Sequence, residues 1–193
     1  MRSSATIGLF AVSKAFRAYI SGEPGEAIAF SGFTGWPGIT ALCGVEGCGV
    51  EEIHIEGVSV EDAWARLKAD SASVLIDVRT IAEWAYVGLP DLDAIGKRPV
   101  LVEWQGFPGD RPNTAFVERL SETLRDIGAN KDCELLFICR SGSRSLKAAR
   151  AMATAGYRRC RNVTEGFEGP LDPVRHRGQV AGWKARGLPW AQG

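Results

Sequence analysis

The chain has two histidines among 193 residues, His54 and His176. Neither sits near a plausible triad partner, which disfavours a cysteine–histidine hydrolase, whose base must lie within hydrogen-bond reach of its nucleophile. No apolar run approaches the roughly 20 residues that a membrane-spanning helix requires, so an integral membrane helix is excluded. Neither sign of charge is in excess: 23 basic and 23 acidic side chains cancel, against a dedicated nucleic-acid binder. The five cysteines are an odd number in a chain long enough to build a core, so free thiols are expected rather than a disulfide scaffold. At 45% hydrophobic and 24% charged residues, the composition is that of a soluble globular protein. The length suits one ordinary domain with an appendage.

The cancelled charge conceals an asymmetry. Residues 1–58 hold three basic and six acidic side chains, net −3, and residues 59–138 hold nine and fourteen, net −5. Residues 139–193 hold eleven and three, net +8. A basic final quarter fits a small-anion site or an acidic partner surface, and a solvated basic face is the plainer alternative.

The first segment carries little pattern. Ala5 to Val12 is apolar enough for a weak secretory or transit signal, although a short helix or no order at all suits it better. From Gly22 to Gly57 there are nine glycines in 36 residues, with no persistent period, so residues 1–57 are expected to be a poorly ordered or loosely packed extension. A start codon assigned too far upstream would produce such a stretch as well. Cys43 and Cys48 lie within it, five apart, a spacing unlike the two-residue gap of a zinc knuckle.

From residue 57 the texture changes. Ser59 with Asp62 three residues on opens a helix through Lys68, with Ala63, Trp64 and Leu67 on its core face. Val74–Val78, Val100–Trp104, Leu135–Cys139 and Arg161–Thr164 are short runs that read as strands. Helical patterns at Thr80–Tyr86, Phe116–Ile127 and Ser143–Ala155 separate them. Strands without polar alternation, interleaved with helices, imply an α/β domain with a central, mostly parallel sheet covered by helices on both faces, over 58–193.

In such a sheet, ligands gather beyond the carboxyl ends of the strands. Cys139 closes the third expected strand and is followed by Arg140, Ser141, Gly142, Ser143, Arg144 and Ser145, leading into a helix that ends at Gly156. This puts a thiol on a tight turn beneath a helix N-terminus, where backbone N–H groups form an anion-binding nest. A helix N-terminus and nearby guanidinium groups favour thiolate over thiol, so such a cysteine is a nucleophile without a histidine base. The alternative is a buried structural cysteine, but the arginine- and serine-rich turn that follows is wrong for burial. Cys160, between Arg159 and Arg161, could serve as a resolving thiol, although a packed structural role suits it better.

The run Leu136 to Ser145 resembles the active loop of rhodanese-like sulfurtransferases. Asp77-Val78-Arg79 with Glu83-Trp84 resembles that family's aspartate-x-arginine signature, and Gly166-Phe167-Glu168-Gly169 its glycine-rich turn after the last strand. Gly182-Trp183-Lys184-Ala185-Arg186-Gly187-Leu188-Pro189 resembles the usual ending of bacterial single-domain members. The match spans about residues 58–190. After Trp84 this chain has Val87-Gly88-Leu89-Pro90-Asp91-Leu92 where the family commonly has glycine-histidine-isoleucine-proline-glycine-alanine. The segment from Gly96 to Arg119 is either a family-variable rim of the pocket or a packed surface loop.

The resemblance implies a thiosulfate sulfurtransferase (rhodanese) activity with no cofactor. Cys139 would take a sulfane sulfur from thiosulfate or a low-molecular-weight persulfide and pass it to a thiol or to cyanide. Amides of residues 140–144 would hold the persulfide, and Arg140 and Arg144 would attract the donor. An arginine directly after the cysteine suits an inorganic dianion, whereas mercaptopyruvate-using relatives typically have a small residue there. Asp77, Arg79 and Glu83 would organise the site, with Arg79 pairing Glu83 one helical turn later. The rivals are a persulfide carrier or interaction module dedicated to one acidic partner protein, and a cysteine phosphatase or arsenate reductase. The loops of those last enzymes place five residues between cysteine and arginine, against four here. A reduced cysteine suggests the cytoplasm, and the periplasm also suits persulfide chemistry.

Overall fold

The computed structural model describes residues 53–108 and 111–192. The readings made for residues 1–52, including the signal-like stretch, most of the glycine-rich segment and Cys43 with Cys48, lie outside the described residues.

Seven strands and four α-helices are present among the described residues, in the order β1 (Glu56–Val58), α1 (Val60–Ala69), β2 (Val74–Asp77), α2 (Ile81–Val87), β3 (Leu89–Pro90), β4 (Val100–Leu101), α3 (Phe116–Asp126), β5 (Glu134–Ile138), α4 (Ser143–Thr154), β6 (Arg159–Val163) and β7 (Trp190–Ala191). Five strands form one parallel sheet in the order β1-β6-β5-β2-β4. The small β3–β7 pair is antiparallel.

The sheet is covered on both faces, and this is why its strands lack polar alternation. On one face Phe116, Leu120 and Leu124 of α3 and Ala148, Ala149 and Met152 of α4 pack against Leu135 and Phe137. On the other, Ala63 and Leu67 of α1 meet Leu75, Leu136 and Ile138, with Phe167 and Trp183 completing the layer. Every residue of β5 is buried, so its last carbonyl delivers the chain to the carboxyl edge of the sheet from a fixed position. Burying such apolar side chains stabilises by roughly 1.5–3 kcal/mol each.

Local chemistry sets the helix starts. The Ser59 hydroxyl accepts the Asp62 N–H at 3.0 Å and caps α1. Thr80 and Glu83 form a complete capping box for α2: the Thr80 hydroxyl accepts the Glu83 N–H, and the Glu83 carboxylate accepts the Thr80 N–H at 2.9 Å.

Three differences from the sequence reading have plain causes. The run Val100–Trp104 yields a two-residue strand, although Val102 and Trp104 N–H still donate to Asp77 and Val78 carbonyls as the chain peels away. The last core strand begins at Arg159 rather than Arg161 because Arg159 pairs in register with Glu134. β1 starts at Glu56, two residues before the expected boundary, and its three residues are too few to show a period.

Candidate active site

Cys139 leaves the end of β5, and Gly142 starts α4 three residues later. That turn requires a residue at φ +92°, and a Cβ at Gly142 would collide with the Thr164 carbonyl oxygen, so only glycine fits. The turn brings two donors to sulfur. The Gly142 N–H and the Ser145 hydroxyl each lie 3.2 Å from Cys139 Sγ. Ser145 Oγ also lies 3.1 Å from the Gly142 carbonyl, so its one proton serves either acceptor. The sulfur is buried, with Cys139 only 1% exposed, contrary to the expectation that the polar turn would leave it open. The turn instead folds over the sulfur and aims its donors inward.

A second layer fixes the turn. The Phe167 N–H donates to the Cys139 carbonyl at 2.7 Å, and the Glu168 and Gly169 N–H groups both donate to the Arg140 carbonyl. Gly166 has φ +68°, and a Cβ there would lie 2.5 Å from the Arg140 carbonyl, which explains the glycine. The Trp183 N–H donates to the Gly166 carbonyl, so the C-terminal tail supports the same turn.

The site-organising residues pair differently from expectation. Arg79 does not reach Glu83. Its Nε and Nη2 grip the Asp77 carboxylate at 2.9 and 2.5 Å, and Nη2 donates to the Gly88 carbonyl at 2.8 Å. Both side chains are fully buried, with the guanidinium 4.0 Å above the Phe167 ring. Asp77 is two residues away on the same chain and already desolvated at the end of β2, so the fork closes there. Glu83 is left to Arg144, whose Nη1 and Nη2 donate to it at 2.8 and 2.6 Å. Burial pushes the Glu83 carboxyl up, but Arg144 and Thr80 outweigh it and hold its pKa down to about 2. Arg144 in turn loses charge stability to burial and regains more from Glu83, so its pKa is raised.

Beside the turn is an open pocket of about 540 Å³. α2 lends Thr80, Ala82, Glu83 and Val87, and the turn and α4 lend Arg140, Ser143, Arg144 and Lys147. Gln105 and Phe107 supply the remaining wall, which places part of the Gly96–Arg119 segment at the rim. Arg144 is therefore a neutralised wall, while the Arg140 and Lys147 side chains have no ion pair among the described residues. Lys147 escaped the sequence reading, although its position one turn after Ser143 puts it on the same helix face. Ser141, between Arg140 and Gly142, is half-buried and carries no side-chain bond to the sulfur. A second hollow of about 570 Å³ lies at the opposite, amino end of the strands. There the Lys97 ammonium is occupied by the Asp70 and Ser73 carbonyls and the Ser73 hydroxyl, and Cys133, a free cysteine, is among the lining residues.

Comparison with known proteins agrees with this geometry. The family model "STR4 middle domain" matches residues 55–193. The uncharacterised protein RP600 of Rickettsia prowazekii is 35% identical over 136 residues, 70% of this chain and 97% of that one. Thiosulfate sulfurtransferase 18 of Arabidopsis thaliana is 33% identical over 112 residues, 58% of this chain and 76% of that one. The crystal structure of Rv0390 from M. tuberculosis superposes with a TM-score of 0.66 at 39% identity, covering 73% of this chain and all of that one. From residue 55 onward, then, the chain belongs to the STR4 middle domain family, within the wider group of rhodanese-like proteins.

Proposed function

We propose that the protein is a sulfurtransferase working through a Cys139 persulfide, with thiosulfate or a low-molecular-weight persulfide as donor. The observation that carries this reading is the pair of donors, Gly142 N–H and Ser145 O–H, 3.2 Å from Cys139 Sγ at the start of α4. The Cys139 thiolate attacks the outer sulfur of thiosulfate. A sulfur–sulfur bond forms to Sγ, the bond to the sulfonate sulfur breaks, and sulfite leaves with that electron pair. The anionic terminal sulfur then rests among loop amides, as an oxyanion rests among preorganised donors. Attack by cyanide or a thiolate on this terminal sulfur returns Cys139 as thiolate.

Two features weigh against phosphomonoester or arsenate chemistry. Four residues separate Cys139 from Arg144, and the Arg144 guanidinium is taken up by Glu83 rather than left for a tetrahedral oxyanion. A dedicated carrier would use the same persulfide, and turnover with a small acceptor separates it from a free enzyme.

The test is intact-mass measurement after incubation with thiosulfate. A gain of about 32 Da, one sulfur, is expected, with the same gain absent in Cys139→Ser. An adduct that persists in Cys139→Ser removes that residue from its role.

A further inference from the structure

The elements that wall the pocket and brace the Cys139 turn expose more apolar side chains than a small-anion site requires. Ile81 and Tyr86 of α2, Phe107, Leu171 and Val174 are between 46 and 79% exposed. Of these only Phe107 lines the pocket, so a donor of thiosulfate's size held there would leave the other four uncovered. Ile81 and Tyr86 are borne by the helix that walls the pocket, and Leu171 and Val174 by a loop braced on the Arg140 carbonyl; exposed apolar side chains interspersed with charge mark a macromolecular interface.

Leu171 and Val174 are displayed by an ordered loop. Its two stems are joined where the Gly178 N–H donates to the Glu168 carbonyl at 2.7 Å and Arg177 Nη1 donates to the Gly169 carbonyl at 2.6 Å. The same stem donates the Glu168 and Gly169 N–H groups to the Arg140 carbonyl, next to Cys139. Inside the loop, Asp172 holds the tip through its N–H to the His176 carbonyl and its carboxylate to the His176 N–H. The loop is therefore tied to the catalytic turn while its apolar side chains point to solvent.

The charge around this rim is positive in balance. Arg140, Lys147, Arg175, Arg177 and Lys184 make no ion pair among the described residues, against three acids that make none, Glu103, Glu168 and Asp172. Glu83 is bound by Arg144, Glu103 accepts the Ile81 N–H, and Asp172 accepts the His176 N–H.

We propose that this rim docks a protein acceptor through an acidic segment that carries apolar side chains and presents one cysteine to the loaded Cys139. The inference rests on the persulfide reading above. In the transfer, the terminal sulfur, held as an anion by the loop amides, first takes a proton from solvent, and the acceptor thiolate then attacks it. A bond forms between the acceptor sulfur and that sulfur, and the bond to Cys139 Sγ breaks. Cys139 leaves as thiolate, and the proton stays on the transferred sulfur. No oxidant is consumed.

Two synthetic peptides test the idea, each with a single cysteine flanked by leucines, one carrying glutamates and the other lysines at the same positions. Sulfur transfer from the thiosulfate-loaded full chain is expected to be at least about tenfold faster to the glutamate peptide at low salt, with the ratio shrinking as salt is added. The triple variant Leu171→Ser, Val174→Ser, Arg175→Asn should lose most of that ratio while turnover with cyanide is unchanged. Asparagine suits position 175 because Arg175 has φ +69°. Equal rates with the two peptides, or a ratio untouched by the triple variant, overturn the proposal. A wild-type dimer that the variant dissociates overturns it in favour of a second copy, and variant-sensitive binding to phosphatidylglycerol vesicles overturns it in favour of a lipid surface. Failure of thiosulfate to load Cys139 is read before any peptide is added; it refutes the persulfide reading and this inference with it.

Discussion

Glu83 and Arg144, 61 residues apart, meet through two charge-assisted hydrogen bonds of 2.8 and 2.6 Å. Glu83 is at the same time the N-cap partner of Thr80. One carboxylate thus fixes the start of α2 and the first turn of α4, the two elements that flank the pocket. The Arg144 guanidinium beside the Cys139 turn shapes that wall and brings little free charge.

The pair has a pH signature. The folded-state pKa of Glu83 is depressed from 4.5 to about 2, so its contribution to stability is complete above pH 4.5 and is lost as pH falls through about 2. Glu83→Gln should destabilise the protein at pH 7 by on the order of 2 kcal/mol. Urea unfolding of both proteins at pH 7, 5 and 3 should show the gap constant from 7 to 5 and narrowing at 3. A gap independent of pH would mean that the carboxylate charge is not what holds the pair.

Asp77 and Arg79 are buried completely, so removing one partner strands a charge in the interior. Asp77→Asn is expected to cost about 3–5 kcal/mol. Replacing both, as Asp77→Leu with Arg79→Met, should cost less than Asp77→Asn alone, because no unpaired charge remains. Denaturant midpoints measure this, and a double variant less stable than the single one would assign the pair a directional role, through the Arg79 bond to Gly88, greater than its desolvation cost.

Ser145 contributes one of the two donors at the sulfur. Ser145→Ala should slow persulfide formation about 10- to 100-fold, while costing about 1 kcal/mol of stability for the lost hydrogen bond. Rapid-quench mass measurement after mixing with thiosulfate reports the rate. Unchanged loading would leave Gly142 N–H as the donor that matters and tie the Ser145 hydroxyl to the Gly142 carbonyl.

The sheet and the tight turn from Cys139 into a helix were legible because their signals are local. An all-buried strand such as β5 is an unbroken apolar run, and the Cys139–Ser145 turn is contiguous in sequence. What escaped depends on partners far apart in the chain. Arg79 was expected to pair with Glu83, four residues on, yet it closes on Asp77, two residues back, because Glu83 is taken by Arg144, 61 residues away. The burial of Cys139 was hidden for the same reason, since the Gly166–Gly169 turn that braces its loop comes 27 or more residues later. β3 and β7 join residues about 100 positions apart through two-residue strands, too short for any period.

Cys160 offers the last prediction. Burial raises its thiol and outweighs the nearby Arg161, pushing its pKa up to about 12. At neutral or mildly alkaline pH it therefore stays a thiol, and a thiol is a poor nucleophile towards a persulfide. Its side chain is directed at the Tyr157 carbonyl, 3.6 Å away, at the start of β6 and not at the end of the strand where Cys139 lies. β5 and β6 run parallel, with Cys160 in register with Leu135, four residues before Cys139. At roughly 3.3 Å per residue that offset is about 13 Å along the strands, well beyond the separation of about 7 Å past which two Cα atoms do not bridge. Cys160→Ala should thus leave cyanide turnover unchanged and cost about 1 kcal/mol for a small packing defect. Non-reducing peptide mapping of the thiosulfate-loaded protein should find the added sulfur on Cys139 and no Cys139–Cys160 disulfide; a disulfide would require β6 to slide or open before the sulfur is released.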